Sequence, residues 1–390
     1  MKLIILLHII TLSLVTFLPI FASNDYLQLL TIIATSVSLT TVAVIRVSKK
    51  LNFIFIITVF FTVYVGYFNV INSYEYISIL SHRLILIACL LIIPYLNFLS
   101  ITNLRSILVF SIILIFITSL TTIYNVIFYD PNISRYLAKS GEMANISSSR
   151  NVGGYGFIYS VLLVYPSFLY LLNIFKNKYS VYYLLTICLC ILIVVTIILA
   201  KYFIALLAIV IISLFYLLII KEIKQKFVLF TLLALSLYII NTFYPLLIVH
   251  ELKIKMIDEF ATNIQYGREI NQSRYDHYET SIITFLNNPV IGSQIFNFDI
   301  IGFHSEFFDL LAEFGLLSGI LFIILIIYPF IQLLKHKKNS DKKMFILMTI
   351  FSILWVNIFN KISFDMIISF YLSYIIYTKI SYTLNNGNRI

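Results

Sequence analysis

Apolar residues in this chain fall in long unbroken runs, not in alternating or heptad-spaced positions. The runs lie near 3–22, 26–45, 51–71, 84–101, 106–129, 155–175, 180–200, 202–220, 227–249, 310–334, 344–360 and 364–380. A helix needs about 20 apolar residues to cross the hydrocarbon core of a bilayer. The pattern therefore predicts an all-α polytopic membrane protein with about 12 transmembrane helices. Strands of an outer-membrane barrel alternate and never run this far, so a barrel is excluded. The fourth run is the weakest, since Pro94 and Asn97 interrupt it. The first run starts at Lys2 and ends at Ala22-Ser23. Its apolar core is too long for a signal peptide, and it is predicted to be a retained helix. Two segments break the rhythm of short connections, 130–154 and 250–309. The expected organisation is one integral membrane domain over 1–390 with two external loops, the second large.

Composition narrows the class. Hydrophobic residues make up 61% and charged residues 11% of the chain. Soluble domains carry about a quarter charged residues, so a cytosolic enzyme is excluded. The net charge of +10 is topological. With both termini inside, the inner segments hold most of the 27 basic residues, including Lys335, Lys337, Lys338, Lys342 and Lys343. They hold only Glu222 and Asp341 of the 17 acids. Positive charge on cytoplasmic loops sets orientation, so 130–154 and 250–309 face outside and no nucleic-acid partner is expected. Cys89, Cys188 and Cys190 lie inside apolar runs and give neither a disulfide framework nor metal spacing. His8 and His82 read as interfacial histidines.

The large outer loop concentrates the ionisable residues. From Ser273 to Leu286 a helical period places Tyr275, Tyr278, Ile282, Phe285 and Leu286 on one face. Arg274, His277 and Ser281 fall on the opposite face. Ser273 is a candidate N-cap, and Asn287-Asn288-Pro289 a stop signal. Such a helix lies on a membrane surface and presents its polar face to a headgroup. His277 reads as a surface residue. A turn Pro289-Val290-Ile291-Gly292 follows, then Gly302-Phe303-His304-Ser305-Glu306 at the mouth of the tenth span. There Glu306, Asp309 and Glu313 recur at i, i+3 and i+7. Acids at membrane depth are costly and are functional candidates. Gly153-Gly154-x-Gly156 opens a span with no strand before it, so close helix packing explains it better than nucleotide binding.

The order Arg274, Pro289-x-x-Gly292, His304-Ser305 and Glu313-Phe314-Gly315-Leu316 resembles the O-antigen ligase and Wzy-type polysaccharide polymerase superfamily over about 50 residues. Arg150-Asn151-x-Gly153 and Lys201-Tyr202 are similar to two further elements of that family. Ala200-Lys201 stands where the family often has Ser-Arg, which favours the polymerase branch over the ligase branch. The resemblance implies a GT-C-like fold in a bacterial plasma membrane with the active site outside. It implies a metal-independent glycosyltransferase that takes a polyprenyl-diphosphate-linked oligosaccharide and no cofactor. A chain-length regulator and a flippase are the protein partners such a polymerase works beside, with membrane lipid around it.

On this reading the catalytic residues are His304, Arg274 and Glu306. Arg274, Arg268, Lys201 and Arg150 bind the diphosphate, and His277, Glu313 and Asn151 support the site. Histidine suits a general base near neutrality, and fixed cations suit a diphosphate leaving group. No metal ligand set is expected. The rival readings are a ligase that moves finished glycan to another acceptor, and a flippase or other transporter for lipid-linked oligosaccharide.

Overall fold

A computed structural model describes residues 2–22, 30–31, 33–38, 89–90, 92–93, 96, 99–136, 142–176, 180–219, 274–293, 301–335, 340–363 and 366–381. The expected spans at 51–71 and 227–249 lie outside the described residues, as does Arg268. Those at 26–45 and 84–101 are described only in part.

The described elements are helices. They are α1 (Lys2–Phe17), α2 (Pro19–Ala22), α3 (Ile101–Phe128), α4 (Ile133–Tyr136), α5 (Glu142–Ser149) and α6 (Tyr155–Phe175). Then come α7 (Ser180–Leu199), α8 (Phe203–Ile219), α9 (Arg274–Asn287), α10 (Glu306–Leu334), α11 (Ser340–Phe359) and α12 (Ile367–Ile375), which continues as a π-helical turn over Ile376–Ile380. Among the described residues, five helices are long and apolar enough to cross a membrane: α3, α6, α7, α10 and α11. Helices α1, α8 and α12 are apolar but shorter. The chain is a membrane-embedded helical protein.

Helix starts differ from the apolar runs where a capping residue precedes the run. Helix α3 begins at Ile101 because Ser100 caps it, accepting from the Asn103 N–H at 3.2 Å. Helix α10 begins at Glu306 because Ser305 accepts from the Phe308 N–H at 3.1 Å. Glu306 and Asp309 then occupy its first turn, where carboxylates complement the positive end of the helix dipole. Hydropathy alone misses such polar first turns.

Helix α6 is the axis of the fold. Residues Phe157–Leu172 are buried throughout, as expected for a helix apolar on every side. It packs against α7, α8, α11 and α12. Neutral hydroxyls tie it to its neighbours: Tyr165 to Ser213 at 3.2 Å, Tyr170 to Ser381 at 2.7 Å, and Ser369 to the Ser160 carbonyl at 2.7 Å. His8, expected at an interface, is instead fully buried. Its ring bridges Thr35 at 3.0 Å and Tyr371 at 3.1 Å, so a polar side chain is accommodated in an apolar core by two hydroxyl partners.

The helix ends sort into two groups. One holds the C-terminal ends of α1, α3, α7 and α11 and the N-terminal ends of α6, α8, α10 and α12. Hydrogen bonds join them: Thr118 to the Phe17 carbonyl, Thr121 to the Asn151 carbonyl, Tyr202 to the Ser134 carbonyl, and Tyr155 to the Lys361 carbonyl. The opposite ends carry Lys2, Arg105, Lys176, Lys335 and Lys379. The described connecting residues 129–136, 142–154, 200–202 and 360–363 thus share one side with residues 301–305, which lead into α10. We call this the acid-rich end.

The orientation inferred from charge puts the acid-rich end outside. In a protein whose three cysteines are replaced, a membrane-impermeant maleimide added to intact cells should label Ser149→Cys and Asn288→Cys and spare Lys335→Cys. Labelling of Lys335→Cys alone would reverse the orientation. Different accessibility at positions 149 and 288 would contradict the fold.

Candidate functional site

Helix α9 ends at Asn287, as the Asn-Asn-Pro signal predicts. Its inward face is not the aromatic one alone. Ser281 is buried, and its hydroxyl donates to Asp309 Oδ1 at 2.8 Å while accepting from the Gly302 N–H at 2.9 Å. Tyr278 also turns inward, its hydroxyl donating to the Phe359 carbonyl at 2.8 Å. Ile283 and Leu286 stay exposed. The polar face expected to meet headgroups is therefore docked through Ser281 on α10 and on the segment before it, where Asp309 and the Gly302 N–H satisfy the hydroxyl.

Both ends of α9 are fixed by close backbone approaches. After Asn287 the chain turns through Pro289-Val290-Ile291-Gly292 and lies on a break in α10. The break is at Gly315 (φ 77, ψ −175). Gly292 also has positive φ, 70°, a region open to glycine at little cost. A Cβ on Gly315 would overlap the Val290 carbonyl, and one on Gly292 would overlap the Glu313 carbonyl. Breaking a helix strands backbone groups, and the turn takes them up. The Leu316 N–H donates to the Pro289 carbonyl at 2.9 Å, and the Ala312 carbonyl accepts from the Ser293 N–H at 2.7 Å. Ser318 Oγ donates to the Gly315 carbonyl at 2.9 Å. The Pro-x-x-Gly and Glu-x-Gly-Leu elements of the sequence are thus two halves of one contact. At the N-terminal side of α9, Gly302 lies against the His277 backbone, where a Cβ would overlap the His277 carbonyl.

These two contacts bring the histidines together. The His277 and His304 ring centroids are 4.2 Å apart at 81°, edge to face. His277, expected at the surface, is half-buried beside His304. Its partner lies 27 positions on, so no local pattern could announce it. His304 follows Phe303, whose φ is 58°. A non-glycine residue in that region costs about 1–3 kcal/mol and occurs where surrounding structure enforces it. Glu306, Asp309 and Glu313 are all buried in the first turns of α10. The Glu306 N–H donates to the Asn360 carbonyl at 3.1 Å. Arg274 opens α9, and its side chain lies outside the described residues.

Lys201 and Arg150 sit at the same end of the molecule in different settings. Lys201 forms the α7–α8 turn with φ 59°. It is 6% exposed, and its Nζ donates to Asn132 Oδ1 at 3.4 Å. Beside it the rings of Tyr155, Tyr159 and Tyr202 cluster, their centroids 4.8, 6.4 and 6.0 Å apart. The Arg135 guanidinium stands 5.9 Å from the Tyr202 centroid. Tyr159 accepts from the Asn360 amide at 2.9 Å, and this links the cluster to the start of α10. Arg150 stacks 3.6 Å over Tyr129 and donates to Asn125 at 3.2 Å, so its guanidinium is engaged with α3. Asn151 (φ 52) donates to Thr118 at 3.1 Å and reads as a structural turn residue.

All five positive-φ residues among those described, Asn151, Lys201, Gly292, Phe303 and Gly315, lie at this end. Among the described residues no group of three or more His, Cys, Asp or Glu is placed to hold a metal ion. Compared with protein-family models, curated proteins and solved structures, the chain matches none.

The backbone contact predicts a graded mutational response. Gly315→Ala combines overpacking, about 1–3 kcal/mol, with a positive-φ extended backbone that is essentially glycine-only, about 1–3 kcal/mol. Gly319→Ala meets side chains, Leu311 and Phe307, and no backbone, and should lose less. Thermal unfolding in detergent should rank Gly315→Ala well below Gly319→Ala. Equal midpoints would show that the docked turn is not held as described.

Proposed function

We propose that the protein is a Wzy-type polysaccharide repeat-unit polymerase acting at the outer face of a bacterial plasma membrane. It transfers a growing glycan from polyprenyl diphosphate onto a lipid-linked repeat unit. The observation that carries this reading is the His277–His304 pair, set between a docked amphipathic helix and the first turn of a spanning helix. The resemblance in the order of Arg274, Pro289, Gly292, His304 and Gly315 supports it further.

The chemistry asks for three things. The acceptor hydroxyl must lose a proton as it attacks the donor's anomeric carbon. The polyprenyl diphosphate must leave as an anion. Both lipid-linked substrates must be held where headgroups lie. An imidazole of the pair, with the ring centroids 4.2 Å apart, is the group suited to take that proton near neutrality. His304 is assigned as that base and His277 as its positioning partner. Glu306 and Glu313, buried in the first turns of α10, are assigned as supporting acids. Arg274, Arg268 and Lys201 are assigned to the leaving diphosphate. Arg150, already engaged by Tyr129 and Asn125, serves the fold more than the substrate.

Removing His304 should cost about 10²–10⁴ in turnover, the usual share of a general base. The assay is polymerisation of a purified lipid-linked repeat unit by protein in nanodiscs, with EDTA present. His304→Ala should be slow while still binding donor, and Arg150→Ala should retain most activity. Full activity in His304→Ala would end its role as base. Loss of wild-type activity on adding EDTA would overturn the metal-independent mechanism.

A further inference from the structure

Arg135 stands in the short helix α4, and that helix is pinned from three sides. Ser134 Oγ donates to the Gly153 carbonyl, Ser147 Oγ to the Ile133 carbonyl at 3.0 Å, and the Tyr202 hydroxyl to the Ser134 carbonyl at 3.2 Å. The Arg135 N–H itself donates to the Asn132 carbonyl at 2.9 Å. Ile133 and Ser134 are buried. The arginine side chain therefore springs from a fixed backbone at the acid-rich end.

Arg135 is half-buried, and its guanidinium carbon lies 5.9 Å from the centroid of the Tyr202 ring. A ring contact uses the face of a guanidinium and leaves its five N–H donors to other partners. Among the described residues no carboxylate, carbonyl or hydroxyl takes one of them. Arg150 differs, since its guanidinium donates to Asn125 and stacks on Tyr129. A second cation reaches the same turn. Lys201 Nζ donates to Asn132 Oδ1 at 3.4 Å, three residues before Arg135, and Lys201 precedes the tyrosine that Arg135 faces.

We propose that Arg135, backed by the Tyr202 ring, binds a phosphate carried by a lipid. The proposal rests on the function proposed above for the nature of that lipid. Lys201 is assigned there to the leaving diphosphate, and Arg135 adds a second cation for its second phosphate. The planar fork of an arginine matches two oxygens of one phosphate, and a ring behind it limits the motion lost on binding. On the side where charge asymmetry leaves few cations, an arginine with no acid of its own is matched to an anion brought from outside the chain.

A polyprenyl diphosphate and the headgroup of an anionic phospholipid offer the same phosphate oxygens, so both serve as probes. The full chain is placed in nanodiscs of neutral phosphatidylcholine that carry a small fraction of either polyprenyl diphosphate or phosphatidylglycerol. Affinity for each is measured for the native protein, Arg135→Gln and Arg135→Lys. Arg105→Gln, at the opposite end of the bundle, is the control.

Arg135→Gln should weaken polyprenyl diphosphate binding by about ten- to a hundredfold, the worth of a hydrogen bond to a charged group. Arg135→Lys should recover only part of the loss, because an ammonium is not a fork. Arg105→Gln should change nothing. Weakening confined to phosphatidylglycerol would support Arg135 as a phosphate ligand with the membrane headgroup as its source. Affinity in Arg135→Gln equal to the native protein's for both probes would overturn the proposal. If polymerisation also continued at the native rate, the polymerase reading would stand without it. If Arg135→Gln does not fold, Arg135→Lys decides, and native affinity there would overturn the assignment. A native protein that binds neither probe would overturn both readings.

Discussion

The acid-rich end depends on one close approach of backbone to backbone. The turn at 289–292 lies on the break of α10 at Gly315, and both partners need glycine there. A helix that breaks near its membrane surface would leave backbone groups unsatisfied in a region poor in water. Here the turn supplies a carbonyl through Pro289 and a donor through Ser293, and Ser318 covers the carbonyl of Gly315. The break is therefore tolerated only when the turn is docked. Docking in turn fixes the end of α9. Ser281 and Gly302 fix its middle. His277 and His304 meet as a result, though neither helix alone would place them together.

Apolar packing and irregular polar structure are separated along the helix bundle. Helix α6 and its neighbours supply a continuous apolar interior in which polar groups are neutral and paired, as at Tyr165, Tyr170 and His8. Strained backbone, buried carboxylates and half-buried cations gather at one end instead. A rigid helical frame with irregular segments at its rim can hold charged substrates without opening its core. The tyrosine cluster at 155, 159 and 202 joins the first loop to the second. Buried contacts thereby run from Tyr202 through Tyr159 and Asn360 to the start of α10.

Much of this was legible in the chain. Runs of about 20 apolar residues mark the spans because a bilayer imposes that length. The span 155–175 matches its helix at both ends, since Gly154 and the basic stretch after Phe175 stop the pattern. Ser273 to Leu286 announced α9 through its helical period, and Pro289 to Gly292 read as a turn. The inward turn of Ser281 was not legible, because its partner Asp309 lies 28 positions away. The same holds for the pairing of His277 with His304 and for the approach of Arg135 to Tyr202. Long-range contacts carry no local signature, and a periodic pattern reports which residues share a face but not what that face meets. His8 shows the same limit, since a histidine near a chain start looks superficial until Tyr371 and Thr35 are seen around it.

The central claim is that this end of the molecule joins lipid-linked glycans. Mass spectrometry of the products formed by the purified protein in nanodiscs, from one defined polyprenyl-diphosphate-linked repeat, tests it most directly. The account predicts glycans that lengthen by whole repeats, with one polyprenyl diphosphate released for each bond formed. Repeats that cross the bilayer with their length unchanged would contradict it and identify a transporter.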